Sequence, residues 1–182
     1  MDNTTLYEQV VRRERTPKHG LTVALIVLGV IGVPAIIFTI SIVAKIPYLN
    51  IVALFIFALA IYFGWYLITS LNVEYEYAFL SSTLRVDKVI AKRRRKKVVK
   101  LDVKRLDDFF PYSDKEMTER HFTKVYHCGS KEFSDSNYVA AFHDEEKGKC
   151  ALVFAPNEAF LEGMKPYFNA DIRKKLFFAQ KK

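Results

Sequence analysis

The residues with the greatest chemical potential in this chain are His127, Cys128, His143 and Cys150, two imidazoles and two thiols within 24 positions. Imidazole and thiolate are zinc ligands, but zinc sites place them in close pairs of the C-x2-4-C or H-x3-5-H type. These spacings match no such pattern, so buried, reduced cysteines in strands are the expectation, and no metal. Asp107-Asp108 and Glu145-Glu146 are the carboxylate pairs that acid/base chemistry would use. Adjacent residues in a strand point to opposite faces, so neither pair converges on a substrate, and both read as solvated surface. The phosphate-cradling and nucleophile motifs G-x-G-x-x-G, G-x-x-x-x-G-K-[ST], G-x-S-x-G and H-E-x-x-H do not occur. No catalytic residue, cofactor or small-molecule substrate is expected, and an enzyme is the least supported class.

The strongest chemical signal is electrostatic. Lys92, Arg93, Arg94, Arg95, Lys96 and Lys97 form an unbroken cationic run in a chain of formal charge +8. Outside that run, residues 71–182 carry seventeen cations and seventeen anions. The basic character is a local patch, which points to one small contact and away from a general polyanion binder. Three roles compete for it: a topology signal beside a membrane span, contact with anionic lipid headgroups, and nucleic acid. Nucleic acid is disfavoured, because interleaved aromatics for base stacking and a broad basic face are both missing.

The elements that position this run begin with two uncharged stretches. Leu21 to Ala44 has no charged residue, nor has Ile46 to Val73, and Lys45 alone separates them. About twenty helical residues cross a hydrocarbon core of roughly 30 Å, so spans at about 21–44 and 51–71 make a transmembrane hairpin over 21–72. Pro47 and Asn50 suit the turn between them, and Pro34 predicts a bend in the first span. Lys and Arg cluster before the first span and after the second, which predicts both termini in the cytoplasm of an inner-membrane, multi-pass protein. On that side Asn3-Thr4-Thr5 has no glycosylation to accept.

Tyr62, Trp65 and Tyr66 near the end of the second span are the expected interface anchors. Ala60 with Gly64, and Gly29 with Gly32, are candidate sites of close helix approach. Neither span contains Asp, Glu, Arg or His, which argues for an anchor and against an ion path. Within residues 1–20, Leu6, Val10 and Val11 share a helical face with Tyr7 beside them. A short amphipathic helix on the membrane or a loose tail is expected there.

Residues 73–182 read as a mostly-β cytoplasmic domain. Val73, Tyr75, Tyr77 and Phe79 alternate with Glu74, Glu76 and Ala78. Leu84, Val86 and Ile90 mark a second strand, and Val99, Leu101 and Val103 a third. Further strands are expected near 106–112, 122–128, 138–143 and 150–154, with a hairpin loop at 144–149. Pro156-Asn157-Glu158 starts a helix whose face is Phe160, Leu161, Met164, Tyr167 and Phe168. Pro166 interrupts it, and a second short helix follows from Asn169 with Ile172, Leu176 and Phe177. The first strand runs roughly 25 Å away from the membrane at 3.3 Å per residue and the second returns. The basic run is therefore expected beside the bilayer.

Two spans followed by EYEYAFLSSTLRVDKVIAKRRRKKVVKLDVKRLDDF resemble bacterial two-span membrane proteins that carry a pleckstrin-homology-like domain. They resemble equally a family of uncharacterised small membrane proteins from clostridia-type bacteria. The resemblance implies a PH-like small barrel or sandwich of about seven antiparallel strands with a C-terminal helix, and brings no assigned activity with it. The residues themselves point to a membrane-anchored, non-catalytic interaction module that contacts a protein partner, anionic lipid headgroups of the membrane, or both. The alternative is an accessory subunit of a larger membrane complex, recognised through its spans.

Overall fold

The structure is a computed structural model that describes residues 5–14, 17–46, 48–130 and 136–179, without the side chains at 17, 18 and 177–179. Pro47, the Asn3-Thr4 pair and the side chain of Phe177 lie outside the described residues. The chain divides into two compact units, residues 15–72 and residues 1–14 with 73–182.

The first unit is a pair of helices, α1 (Pro17–Val43) and α2 (Tyr48–Ser70). Both are long and apolar enough to cross a membrane. At about 1.5 Å per residue, 27 and 23 residues exceed the roughly 30 Å of a hydrocarbon core. Most of their Leu, Ile, Val and Phe side chains point outward, the reverse of a water-soluble helix pair. The two helices pack through Gly64, where an added Cβ would stand 2.6 Å from Val30 Cγ2. Gly29 and Gly32 play no such part, since a Cβ at either meets nothing within 4 Å.

α1 runs through Pro34 unbroken and closes in a Schellman motif. The Ile46 N–H reaches Ser41 O at 3.1 Å and the Lys45 N–H reaches Ile42 O at 3.3 Å. Lys45 takes the left-handed position, φ 53°, that glycine usually fills. Ser41, buried in an apolar helix, donates its hydroxyl to Ile46 O and is thereby satisfied. Asn50, expected in the turn, belongs to the first turn of α2.

Among the described residues the second unit holds eight strands in two four-stranded sheets. Residues 7–12, expected as a helix or a tail, are a strand, β1 (Tyr7–Arg12). Their apolar residues follow period two once Tyr7, Gln9 and Val11 share a face, and β1 pairs antiparallel with β2 (Val73–Leu80). Tertiary pairing outcompetes the weak helical pattern. β3 (Thr83–Ile90) and β4 (Arg94–Asp102) complete the sheet in the order β1-β2-β3-β4. The β2–β3 turn puts Ser81 and Ser82 at φ 48° and 75°, the twist a two-residue hairpin requires.

After a 3-10 turn (Val103–Arg105), the second sheet is built from β5 (Asp108–Pro111), β6 (Lys124–His127), β7 (Tyr138–Asp144) and β8 (Gly148–Phe154), in the order β5-β7-β8-β6. β6 pairs with β8 in parallel, a departure from an all-antiparallel arrangement. A short helix, α3 (Asp114–Glu119), lies in the crossover between β5 and β6, so β6 runs in the same direction as β5 and β8 rather than returning as a hairpin partner. The β7–β8 loop is an Asx turn: Asp144 Oδ1 accepts the N–H of Glu146 and of Lys147, and Gly148 supplies φ +73°.

The sheets face each other across one core, with Tyr77, Phe79, Leu84 and Val86 from one and Phe109, Leu152 and Phe154 from the other. α4 (Glu158–Met164) begins at Asn157, whose Oδ1 accepts the Phe160 N–H at 2.8 Å, and seals the core with Phe160, Leu161 and Met164. Pro166 falls in a 3-10 turn (Lys165–Tyr167). α5 (Ala170–Ala179) restarts at Asn169, which caps the Ile172 N–H at 2.9 Å and seats Ile172 in the core. A smaller cluster of Phe110, Tyr112, Val139, Ala151 and Val153 lies against Met117 of α3.

Candidate interaction surface

The cationic run occupies one corner of the first sheet. Ala91 and Lys92 turn the chain in left-handed conformations, φ 54° and 55°, and Arg93 closes the turn on Ile90 O at 3.0 Å. Arg94 to Lys97 are then the first residues of β4, which is an edge strand. The run is thus part turn and part strand, and Lys92 through Lys97 are all exposed. Charge on an edge strand is also a standard defence against unwanted strand pairing.

A bulge decides which way each cation points. Val86 stands opposite Val99 but Asp87 opposite Lys97, so Val98 has no cross-strand partner. Arg94 and Lys96 therefore fall on the core side of the sheet, in rows with Val73 and Ile90 and with Tyr75 and Lys88. Arg95 and Lys97 fall on the outer side. That side carries acids: Glu74 is 2.8 Å from Arg12, Glu76 is 3.2 Å from Arg95, and Asp87 is 2.7 Å from Arg85 and directly across from Lys97. Arg95 has its counter-charge within the sheet, and Lys97 has an acid directly across from it, Asp87. Among the described residues no acidic side chain pairs with Lys92, Arg94, Lys96 or Lys97, and the first three have no acid directly across from them either, which leaves them the uncompensated part of the run.

The other candidates from the sequence do not converge. Cys128 and Cys150 are buried free thiols, whereas His127 and His143 are exposed. Cys150 stands opposite Lys124, and Cys128 lies one residue beyond the His127–Val153 pair, so the thiols are several residues apart along the β6–β8 ladder. Burial pushes the Cys128 thiol up to about 12, against a smaller opposing pull from Lys88, and burial also raises Cys150. Burial and a raised pKa both disfavour the reactive thiolate at these positions. Among the described residues no group of three or more His, Cys, Asp or Glu is placed to hold a metal ion.

Asp108 corrects the surface reading of its pair. It is buried, bonded to Arg120 Nη1 at 2.5 Å and to Lys175 Nζ at 3.0 Å. Arg120 also lies over the Phe110 ring at 4.1 Å. Burial pushes the Asp108 carboxyl up, but the hydrogen bonds from Arg120, Lys175 and the Phe109 N–H together outweigh it and hold it below its ordinary value. The cluster ties β5, α3 and α5 together and is structural. Its members lie up to 67 positions apart, with no local pattern to announce them.

Tyr62, Trp65 and Tyr66 are exposed on α2. No curated protein and no solved structure matches this chain. A family model described as "Bacterial PH-like domain (DUF6106)" matches residues 3–174. Such domains are generally non-catalytic binding modules. With two apolar helices, two opposed sheets and a C-terminal helix in place, this chain belongs to that bacterial PH-like family.

Proposed function

We propose that the protein is a membrane-anchored, non-catalytic interaction module whose basic corner rests on anionic lipid headgroups and holds the rest of the domain ready for a protein partner. The observation that carries this reading is the set Lys92, Arg94 and Lys96. They are uncompensated and lie at the end of the sheet where the chain arrives from α2. Val73, three residues beyond the end of α2, shares a cross-strand row with Ile90 and Arg94. A cation close to an anionic leaflet contributes about 1 kcal/mol, so three suffice to orient a tethered domain.

Topology supports the same reading. β1 precedes the first apolar helix and β2 follows the second, yet they are hydrogen-bonded neighbours. Two crossings return the chain to the side it left, and the excess of Lys and Arg at both flanks assigns that side to the cytoplasm. The exposed aromatics Tyr62, Trp65 and Tyr66 then mark the cytoplasmic interface of α2.

The test uses the full chain reconstituted in vesicles, with Lys92→Cys carrying an environment-sensitive dye. Both native cysteines are buried, which directs labelling to position 92. Emission is expected to shift blue in phosphatidylglycerol-containing vesicles relative to phosphatidylcholine, and to return in high salt. Arg94→Gln with Lys96→Gln abolishes the shift, whereas Arg95→Gln with Lys97→Gln preserves most of it. Identical emission in the two lipids overturns the headgroup contact.

A further inference from the structure

The feature that the proposed function leaves unused is β1. Its attachment is side-chain specific as well as hydrogen-bonded along the backbone. The Tyr7 ring lies against Phe79, centroids 6.5 Å apart, and over Gly163 of α4, where an added Cβ would stand 2.6 Å from the ring. Only a residue without a side chain fits beneath it. Gln9 spends both ends of its amide on the segment between β8 and α4: Nε2 donates to Ala155 O at 2.9 Å and Oε1 accepts the Asn157 N–H at 2.9 Å. The same segment meets the core hydroxyl of Tyr77, which donates to Cys128 O and receives the Ala155 N–H at 3.4 Å. Beyond β1, the Arg13 N–H bonds Val73 O and the Glu14 N–H bonds Ser130 O. β1 thus joins β2 and the start of α4, and the two residues after it extend the attachment to Val73 and to the segment that follows β6.

In sequence, both apolar helices stand between β1 and β2. We infer that residues 7–12 are an in-chain latch: the domain closes only in chains whose two helices have brought β1 back to the side of the membrane that holds β2. A chain with one helix left uninserted has the two strands on opposite sides. It then presents an open β2 edge, an empty Tyr7 seat and unpaired backbone groups at Ala155 and Asn157, each unfavourable when buried or aggregation-prone when exposed. The latch makes a closed binding domain conditional on correct insertion, whatever the domain binds.

The two cysteines report closure, since Cys128 and Cys150 are the only thiols in the sequence and are 1% and 0% exposed. Full chains in native membrane vesicles are treated with a polyethylene-glycol maleimide from the side of the domain. Deletion of residues 5–12 is expected to accelerate labelling roughly tenfold or more through local opening, while Val10→Ala, at a position 58% exposed, leaves it unchanged. Deleting residues 48–70 is expected to accelerate it equally, because β1 is then stranded across the membrane. Replacing 48–70 by an unrelated apolar span of equal length restores slow labelling, because only the side matters. Native-rate labelling of either deletion overturns the latch. So does fast labelling of the chain with the replaced span, which would make the identity of α2, not the side it reaches, the requirement.

Discussion

The first sheet has two edges that are put to opposite uses. β1 is bound through its side chains: Tyr7, Gln9 and Val11 turn inward, and each has a shaped or hydrogen-bonded place. The first half of β4 is held by its backbone pairing and one exposed ion pair, Arg95 with Glu76, and its long cationic side chains are exposed on both faces. An edge that is packed stores stability. An edge that is only paired, and charged, resists aggregation and remains free to meet something else. The contrast gives the architecture to one side of the sheet and, in the function proposed above, the contact to the other.

Changes at the β1 edge are expected to cost the most. Gly163→Leu drives a side chain into the Tyr7 ring and should destabilise the domain by about 3 kcal/mol, read as a lower melting temperature of the full chain in detergent. The same substitution at Gly29, where space is open, should be nearly silent. If both glycines tolerate leucine alike, β1 is not bound as described. Gln9→Ala leaves Ala155 O and the Asn157 N–H without their partner and should cost about 1–2 kcal/mol.

Charge sharpens the comparison further. Asp108 is a charge that stabilises the fold. Its depressed pKa means that its contribution is complete above the ordinary carboxylate range and is lost as pH falls through the lower, folded value. The wild type should therefore lose stability in acid below about pH 4, and Asp108→Asn should flatten that part of the profile in a melting series. The β4 cations behave oppositely. Arg94→Gln with Lys96→Gln should change stability by no more than about 0.5 kcal/mol at any pH, and the loss should appear only in lipid contact. A large melting shift from that pair would show that the corner is structural. In the turn between β2 and β3, Ser81-Ser82→Asn-Gly should raise stability by about 1 kcal/mol, since both positions have positive φ.

Most of the elements are readable along the chain because each rests on a local rule. Uncharged length specifies α1 and α2, and period two specifies β2 and β3. Pro156-Asn157-Glu158 specifies the start of α4, and Pro166 its end. β1 escaped because six residues obey period two and a helical stripe almost equally well, and only its partner, across two spans, decides between them. Asp108 escaped because its cations come from α3 and α5. The parallel β6 escaped because strand direction is not encoded by alternation.

The cationic run marks the limit most sharply. The sequence by itself determined that six cations follow one another beside a strand, that two helices are long and apolar enough to cross a membrane, and that none of the common catalytic motifs is present. It could not determine which cations are already balanced. Counting by twos from Val99 puts Arg95 and Lys97 on the core side. The bulge at Val98 reverses that, placing Arg95 and Lys97 among Glu76 and Asp87 and leaving Arg94 and Lys96 without counter-charge. A single unpaired residue flips every side chain beyond it to the other face, and where it falls is settled by the packing of neighbouring strands, not by the strand's own residues.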